Sequence, residues 1–175
     1  EFFMSFGDIT LGKQTVLCRD TPAFIANRIG VMSGTALVNL TIEYKMSIEE
    51  VDAITGPLIG RPNTATFKLQ DLVGLDTSEK VSSFVTKTVE NDDFFEELKS
   101  KEVPAFMSFL LNNKFYGNKS GKGFYQKTKE KDSNGRTIVN VLNLETLEYE
   151  KTIRPKLKIV KEAKPIQNIG KRLSF

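Results

Sequence analysis

The hydrophobic pattern of the chain is dominated by a nearly uninterrupted apolar run from Ala23 to Tyr44. The strongly polar residues that interrupt this run before its last turn are Asn27, Arg28 and Asn39. A helix that is apolar on nearly all sides is usually a buried one. Just before the run, Thr21 suits the N-cap and Pro22 suits the first helical position, whose N–H needs no partner. We therefore predict a buried helix from Pro22 to about Lys45.

One face of this predicted helix carries almost no side-chain bulk. Ala23, Asn27, Gly30 and Gly34 recur at helical spacing and therefore share that face. A glycine costs about 1 kcal/mol relative to alanine inside a helix, so two on one stripe suggest that something approaches the backbone closely. Either a neighbouring helix packs there and Asn27 caps a loop carbonyl, or Asn27 points into a functional gap.

Further helices follow from local signals. Ser47 and Glu50 form a capping-box pattern, so a second helix is expected from Ile48 until the Gly56-Pro57 breaker. The remaining helices are predicted over Ala65 to Val73, from a cap at Asp76 or Thr77 through Thr88, over Asp92 to Lys99, and over Pro104 to Asn113. Together these segments predict a helical bundle.

The ends of the chain have a different character. The first residues resemble the last turns of an apolar helix, and Gln14 to Arg19 is predicted as a short strand that lacks a partner run. Near the other end, Thr137 to Leu144 and Thr146 to Glu150 alternate as a β-hairpin around Leu144 and Glu145. Before the hairpin, Lys127 to Arg136 is predicted as a charged linker with a turn at Asn134-Gly135.

The tail from Lys151 onward is basic and broken by Pro155 and Pro165. Spaced lysines between prolines favour a solvated linker, and the alternative is a site for a polyanion. A second ambiguous segment is Lys119 to Tyr125, Lys-Ser-Gly-Lys-Gly-Phe-Tyr. It is interpreted either as a turn that docks Phe124 and Tyr125 on the bundle, or as a weak phosphate cradle.

Composition excludes several kinds of chemistry. The chain has no histidine and one cysteine, so it lacks the commonest general base and the usual zinc ligands. Neither glycine-rich phosphate motif occurs, and a net charge of +3 does not require a nucleic-acid partner. No apolar run is long enough to cross a bilayer and no signal peptide is recognisable, so we expect a cytoplasmic protein without a membrane or nucleic-acid partner.

Five motifs follow one another between about residues 10 and 126. They are Lys13 to Asp20, Asp-Thr-Pro-Ala-Phe-Ile-Ala-Asn-Arg (20 to 28), Ser-Ile-Glu-Glu-Val-Asp (47 to 52), Phe-Lys-Leu-Gln-Asp-Leu-Val-Gly-Leu-Asp (67 to 76) and Lys-Ser-Gly-Lys-Gly-Phe-Tyr (119 to 125). In this order they closely resemble the C-terminal domain of L-3-hydroxyacyl-CoA dehydrogenases. The resemblance implies a mainly α fold, a helical bundle like the C-terminal domain of 6-phosphogluconate dehydrogenase. Gly60 to Phe67 departs from the stand-alone enzymes and resembles the subfamily fused to an enoyl-CoA hydratase.

The resemblance also implies an organisation into three parts. Residues 1–20 would end a Rossmann domain and connect it, residues 21–126 would form the helical domain, and residues 127–175 would form a hairpin and a basic connector. On this view a Rossmann domain precedes Glu1, and a hydratase follows Phe175 in a fused enzyme. NAD would be bound by the Rossmann domain rather than by this chain, which would be inactive alone.

The implied reaction is the reversible NAD-dependent oxidation of an L-3-hydroxyacyl-CoA in fatty-acid β-oxidation. Asn27 matches the family asparagine that lies beside the catalytic histidine and the 3-oxygen of the substrate, so it is the expected catalytic and substrate-binding residue. Pro62 and Phe67 are expected to contact the acyl-CoA, and the bundle is expected to form a homodimer. The competing hypothesis is a helical interaction or dimerisation domain in which Asn27 has a purely structural role.

Overall fold

The computed structural model describes residues 1–175. The helices are α1 Phe2–Ser5, α2 Ala26–Glu43, α3 Ile48–Ile54, α4 Phe67–Val73, α5 Leu75–Thr88, α6 Asp93–Lys99, α7 Ala105–Asn112, α8 Lys158–Ala163 and α9 Ile169–Leu173. Three strands follow α7 in the chain, β1 Tyr125–Lys131, β2 Thr137–Leu142 and β3 Tyr149–Lys151. The mainly α architecture is therefore confirmed. None of the helices has the combined length and hydrophobicity that crossing a membrane requires.

The main hydrophobic core lies between the helices and the small sheet. Its buried members are Ile48, Val51, Phe67, Leu75, Phe106, Leu110, Phe124, Val141 and Leu142. Because Val141 and Leu142 belong to β2, the sheet contributes to the same core as the helices. A smaller cluster of Val85, Val89 and Phe95 joins α5 to the start of α6.

The predicted start of the long helix is wrong by one turn. Residues 22–25 form a turn in which Ala23 and Phe24 have φ angles of 64° and 50°, and α2 begins only at Ala26. Left-handed residues cannot continue a right-handed helix, so Thr21 does not act as its N-cap. The predicted end near Lys45 agrees with the observed end at Glu43.

Most of the other helix signals are confirmed. In the capping box the Glu50 N–H donates to Ser47 Oγ over 3.3 Å, and the Ser47 N–H donates to Glu50 Oε2 over 2.9 Å. The expected cap of α5 at Asp76 or Thr77 is wrong, because Gly74 ends α4 at a φ of 97° and α5 begins at once with Leu75. The Asp76 carboxylate instead pairs with the Lys119 ammonium.

The sheet is antiparallel in the order β1-β2-β3, with Tyr125 opposite Val141 and Val141 opposite Glu150. The predicted hairpin therefore forms between β2 and β3, and the turn at Asn134-Gly135 is also confirmed, with Gly135 at a φ of 75°. The predicted linker is wrong in its first half, which is β1. Its polar side chains tolerate strand structure because β2 supplies the hydrogen-bonding partner.

The expected strand from Gln14 to Arg19 is absent, and that segment has no regular secondary structure. A strand needs a neighbour for its N–H and C=O groups, and this segment has none within the chain. Its one anchor is Thr15, whose N–H and hydroxyl donate to Asp8 Oδ1 over 2.9 and 2.6 Å.

The basic tail is more ordered than the predicted linker. Helices α8 and α9 interrupt it, and α9 packs against the short 3-10 turn Pro57–Ile59 that follows α3. The prediction of a solvated linker is therefore wrong where α8 and α9 form and where α9 contacts the bundle, although most side chains of the tail are exposed.

Candidate functional site

Asn27 lies in the first turn of α2 with its side chain exposed. Its amide makes no hydrogen bond to the rest of the chain, so it does not cap a loop carbonyl here. An amide of this kind can donate through its NH₂ and accept through its oxygen without changing its charge. It is therefore available to a group outside the chain.

The structure confirms part of the predicted helix face with little side-chain bulk. Gly30 is exposed, and a side-chain carbon placed there would have no atom within 4 Å, whereas one at Gly34 would lie 3.7 Å from Gln70 Nε2. Ala23 is not part of this face, since it precedes α2. No helix of this chain packs on Gly30, so the surface beside Asn27 is open.

An open apolar concavity of about 390 Å³ lies at the start of α2. Its walls come from the connecting segment before the helix and from residues on both sides of Asn27 in the sequence. They are Leu17, Cys18, Arg19, Thr21, Phe24, Ile25, Arg28 and Ile29. Phe24 and Ile29 each expose more than half of their surface, at 56% and 55%. Asn27 lies in the same stretch of the chain but does not itself line the concavity.

A charged pair fixes this end of α2. Arg28 Nη2 donates to Asp92 Oδ2 over 2.6 Å, which ties the helix to the turn before α6. The hydrogen bond from Arg28 holds the pKa of the Asp92 carboxyl below its usual value. The pair therefore restrains the start of α2, the part of the helix that carries Asn27.

The other expected substrate contacts are Pro62, in the loop between α3 and α4, and Phe67, the first residue of α4. Pro62 is exposed, as a surface contact requires. Phe67 is not, because its ring is 0% exposed and packs edge-on against Phe124 with 4.7 Å between centroids. The expected direct contact of Phe67 with substrate is therefore corrected, since a ring inside the core offers no surface to an acyl chain.

Asp52 holds the end of this loop. Its buried carboxylate accepts hydrogen bonds from the N–H groups of Thr66, Phe67 and Lys68 over 3.0, 2.7 and 3.3 Å, at the start of α4. The Tyr125 hydroxyl also donates to it, over 2.8 Å. Burial, together with the adjacent Asp52, raises the pKa of this hydroxyl, so it stays protonated and donates. The sequence carries no local signal for this cap, because its donors lie at least 14 residues away.

Asp71 has the corresponding role for the glycine-rich segment. Its two carboxylate oxygens accept hydrogen bonds from the N–H groups of Phe124 and Tyr125, each over 2.8 Å. Gly117 and Gly123 lie so close that side-chain carbons there would collide with Asp71. Burial raises the pKa of Asp71 to about 6, against the opposing effect of the two N–H donors.

These contacts decide between the two interpretations of the glycine-rich segment. The N–H groups of residues 120 to 125 already donate to acceptors within the chain. They are therefore not free to cradle a phosphate, and the prediction of a turn that docks Phe124 and Tyr125 is confirmed.

The described residues do not form a cofactor site of a familiar kind. No group of three or more His, Cys, Asp or Glu side chains is arranged to hold a metal ion. The only sheet is antiparallel, whereas the Rossmann form of dinucleotide site is built on a parallel strand followed by a glycine-rich turn and a helix.

Comparison with known proteins agrees with the helical fold. The family model of the 3-hydroxyacyl-CoA dehydrogenase C-terminal domain matches residues 24–127. A probable 3-hydroxyacyl-CoA dehydrogenase of Bacillus subtilis is 40% identical over 94% of this chain and 20% of its own length. A putative fatty acid oxidation complex trifunctional enzyme of Rickettsia prowazekii is 32% identical over 79% of this chain and 19% of its own length.

The fold is also similar to a solved structure. The crystal structure of FadB2 from M. tuberculosis has a TM-score of 0.52 and 27% identity, covering 72% of this chain and 41% of that one. The chain spans about a fifth of the Bacillus subtilis relative and 37% of a probable 3-hydroxyacyl-CoA dehydrogenase of Deinococcus radiodurans. By its family match and its helical architecture, the chain belongs to the 3-hydroxyacyl-CoA dehydrogenase C-terminal domain family.

Proposed function

We propose that this chain forms one wall of the substrate cleft in an NAD-dependent L-3-hydroxyacyl-CoA dehydrogenase. The enzyme would convert L-3-hydroxyacyl-CoA to 3-ketoacyl-CoA reversibly in fatty-acid β-oxidation. One observation carries the proposal, the exposed and unpaired amide of Asn27 on the open start of α2. Family membership supplies the reaction to which this amide would contribute.

Asn27 would act on the oxygen attached to C3 of the substrate. That oxygen gains negative charge as the hydroxyl loses its proton, and an amide NH₂ stabilises such charge by donating a hydrogen bond. The proton acceptor must lie elsewhere in the enzyme if it is a histidine, because this chain contains none. Asn27 would thus orient and polarise the reacting group without taking its proton.

NAD would be bound outside these 175 residues, by an N-terminal Rossmann domain. This proposal is supported by the sheet of this chain, which is antiparallel, whereas a Rossmann domain binds its dinucleotide on a parallel sheet. We therefore expect residues 1–175 alone to be inactive and to need the Rossmann domain to complete the cleft.

The acyl part of the substrate would lie on apolar surface near Asn27. The open concavity of about 390 Å³ at the start of α2 offers apolar side chains such as Phe24 and Ile29 for this contact. Pro62 is the proposed contact from the α3–α4 loop, and Phe67 would support that loop from inside the core. Thioesters of coenzyme A would be bound jointly by this surface and the Rossmann domain.

A second copy of the chain would cover the exposed apolar side chains of α2 and α4. Met32 and Leu72 are 42% and 59% exposed, on helices that approach each other at Gly34 and Gln70.

We place the enzyme in the cytoplasm, because the exposed Cys18 suits a reducing compartment. An enoyl-CoA hydratase would be fused to it; the Rickettsia prowazekii relative, which is named a trifunctional enzyme, supports a larger enzyme with more than one activity.

The test is the substitution Asn27→Ala in the whole enzyme, with Asn39→Ala on the same helix as a matched control. We expect kcat to fall by about 100-fold with little change in KM, the loss typical of removing one donor to a developing oxyanion. The control should keep the parent kcat. An unchanged kcat/KM in Asn27→Ala would overturn the catalytic role and favour the interaction-domain hypothesis.

A further inference from the structure

One arginine near the end of the chain contacts the backbone of a distant loop. The Arg172 guanidinium donates through Nη1 to the carbonyl oxygens of Pro57 and Leu58, both over 3.2 Å. Its Nε donates to the Ile166 carbonyl over 2.7 Å, and its Nη2 to the Gln167 carbonyl over 3.4 Å. A single planar group thus joins α9 and the segment before it to the turn after α3.

An apolar contact lies beside this polar one. Gly60 has a φ of 79°, and a side-chain carbon at that position would lie 3.3 Å from Ile169 Cδ1. The first residue of α9 therefore packs directly on the backbone of Gly60. A glycine suits this position both for the left-handed conformation and for the close approach.

The same tail is also attached at the opposite end of α3. The Ile153 N–H donates to Glu49 Oε1 over 3.1 Å, in the first turn of that helix. The segment from Ile153 to Phe175, called the strap below, is thus held at the start of α3 by Ile153 and after its end by Arg172. It leaves β3 at Lys151 and returns to the α3–α4 loop, residues 55–66.

We infer that the strap fixes the α3–α4 loop and that Arg172 is a positioning residue for Pro62 in that loop. This inference rests on the proposed function, in which Pro62 contacts the acyl chain. Arg61 and Asp52 hold the end of the loop, through the Ala65 carbonyl and the start of α4. Arg172 holds its beginning, at the carbonyls of Pro57 and Leu58, so Pro62 lies in the short segment between the two anchored ends.

Arginine is required at this position for a geometric reason. Its guanidinium presents five donors in a rigid plane, whereas a lysine ammonium presents three donors from one point. An ammonium cannot span the carbonyls of Ile166 and Leu58 in the same way. The charge alone would therefore not hold the loop.

The test uses Arg172→Ala and Arg172→Lys in the whole enzyme, with Lys171→Ala in the same helix as the matched control. Hydrogen exchange reports on the loop through the N–H groups of Ile59, Gly60 and Arg61, which donate within it. We expect their exchange to become about tenfold faster in both Arg172 variants and unchanged in the control. Exchange at Leu110 in the core should stay constant in all three.

Substrate kinetics test the positioning role separately. We expect KM for acyl-CoA substrates to rise about threefold or more in both Arg172 variants, with kcat retained because Asn27 lies outside the loop. Unchanged exchange in the loop would overturn the strap. Faster exchange with an unchanged KM would overturn the positioning role only.

These results are independent of Asn27→Ala, so failure of the catalytic proposal is distinguishable from failure of the strap. If an Arg172 variant also loses protection at Leu110, Ile169→Ala replaces it, because this change removes only the apolar contact with Gly60. If these loop N–H groups exchange as slowly in Ile169→Ala as in the parent enzyme, the inference that the strap fixes the loop is overturned.

Discussion

The Tyr125 hydroxyl donates a hydrogen bond to Asp52 across 2.8 Å, although 73 residues separate them. The same carboxylate caps the start of α4, so it joins α3, α4 and β1. Burial of a carboxylate is costly unless its oxygens are satisfied, and here three backbone N–H groups and a hydroxyl satisfy them. The position of the α3–α4 loop thus depends on a residue that begins the sheet.

Removal of this hydroxyl should weaken the fold measurably. Tyr125→Phe keeps the ring but removes one donor to a buried carboxylate, so the free energy of unfolding should fall by about 1 to 3 kcal/mol. Urea unfolding measures the change. Tyr44→Phe is the matched control, because Tyr44 is 66% exposed and should leave stability within about 0.5 kcal/mol. Equal stability of the two variants would contradict the importance of the bond.

Asp71 should give the protein an unusual dependence on pH. Its pKa is raised from 3.8 to about 6 by burial, so between these values the folded state binds more protons than the unfolded state. Its contribution to stability is therefore full below about pH 4 and is lost as pH rises through 6. The loss should amount to about 2 to 3 kcal/mol for a shift of this size.

The measurement compares urea unfolding of the parent with Asp71→Asn at pH 4 and pH 7. The stability advantage of the parent should shrink between these values, because the asparagine does not titrate. Asp20→Asn, at an exposed position, should show no such change relative to the parent. An advantage that grows with pH would show that the carboxylate is better stabilised when charged.

Substitution of Gly30 by alanine should change the stability of the chain and the activity of the whole enzyme in opposite directions. Gly30→Ala meets no atom within 4 Å in this chain, so helix propensity should raise the free energy of unfolding of the isolated chain by up to about 1 kcal/mol. In the whole enzyme the same methyl group would enter the surface beside Asn27, and kcat/KM should fall. Unfolding of the chain and steady-state kinetics of the enzyme check the two effects. A variant that is more stable and fully active would argue against a partner or substrate on this face.

Local signals in the sequence predicted the parts of the fold whose partners lie nearby. Ser47 and Glu50 satisfy each other within one turn, and Gly74 ends its helix by its own conformation. The bundle, the hairpin and the glycine-rich turn were accessible in this way. Resemblance to a family added Asn27 as a candidate, and its exposure is compatible with that role.

Distant contacts explain most of what the sequence did not predict. Lys127 belongs to a strand because Val139 pairs with it, and α9 is held on the bundle by carbonyls of Pro57 and Leu58. No local pattern marked Asp52 or Asp71, since their donors come from other elements. Phe67 was expected to contact the acyl-CoA, but its ring completes a core that no local pattern describes.

The shared core extends past the last residue that the family model matches. The family match ends at residue 127. Val141 and Leu142 lie after that residue, yet they pack with Ile48 and Leu110 in the same core. A polypeptide shortened to the matched residues would expose part of its interior and lose β2, the strand that pairs with β1, together with β3. The sheet is therefore an integral part of one cooperative unit, and natural variation in it should be constrained by helices far earlier in the chain.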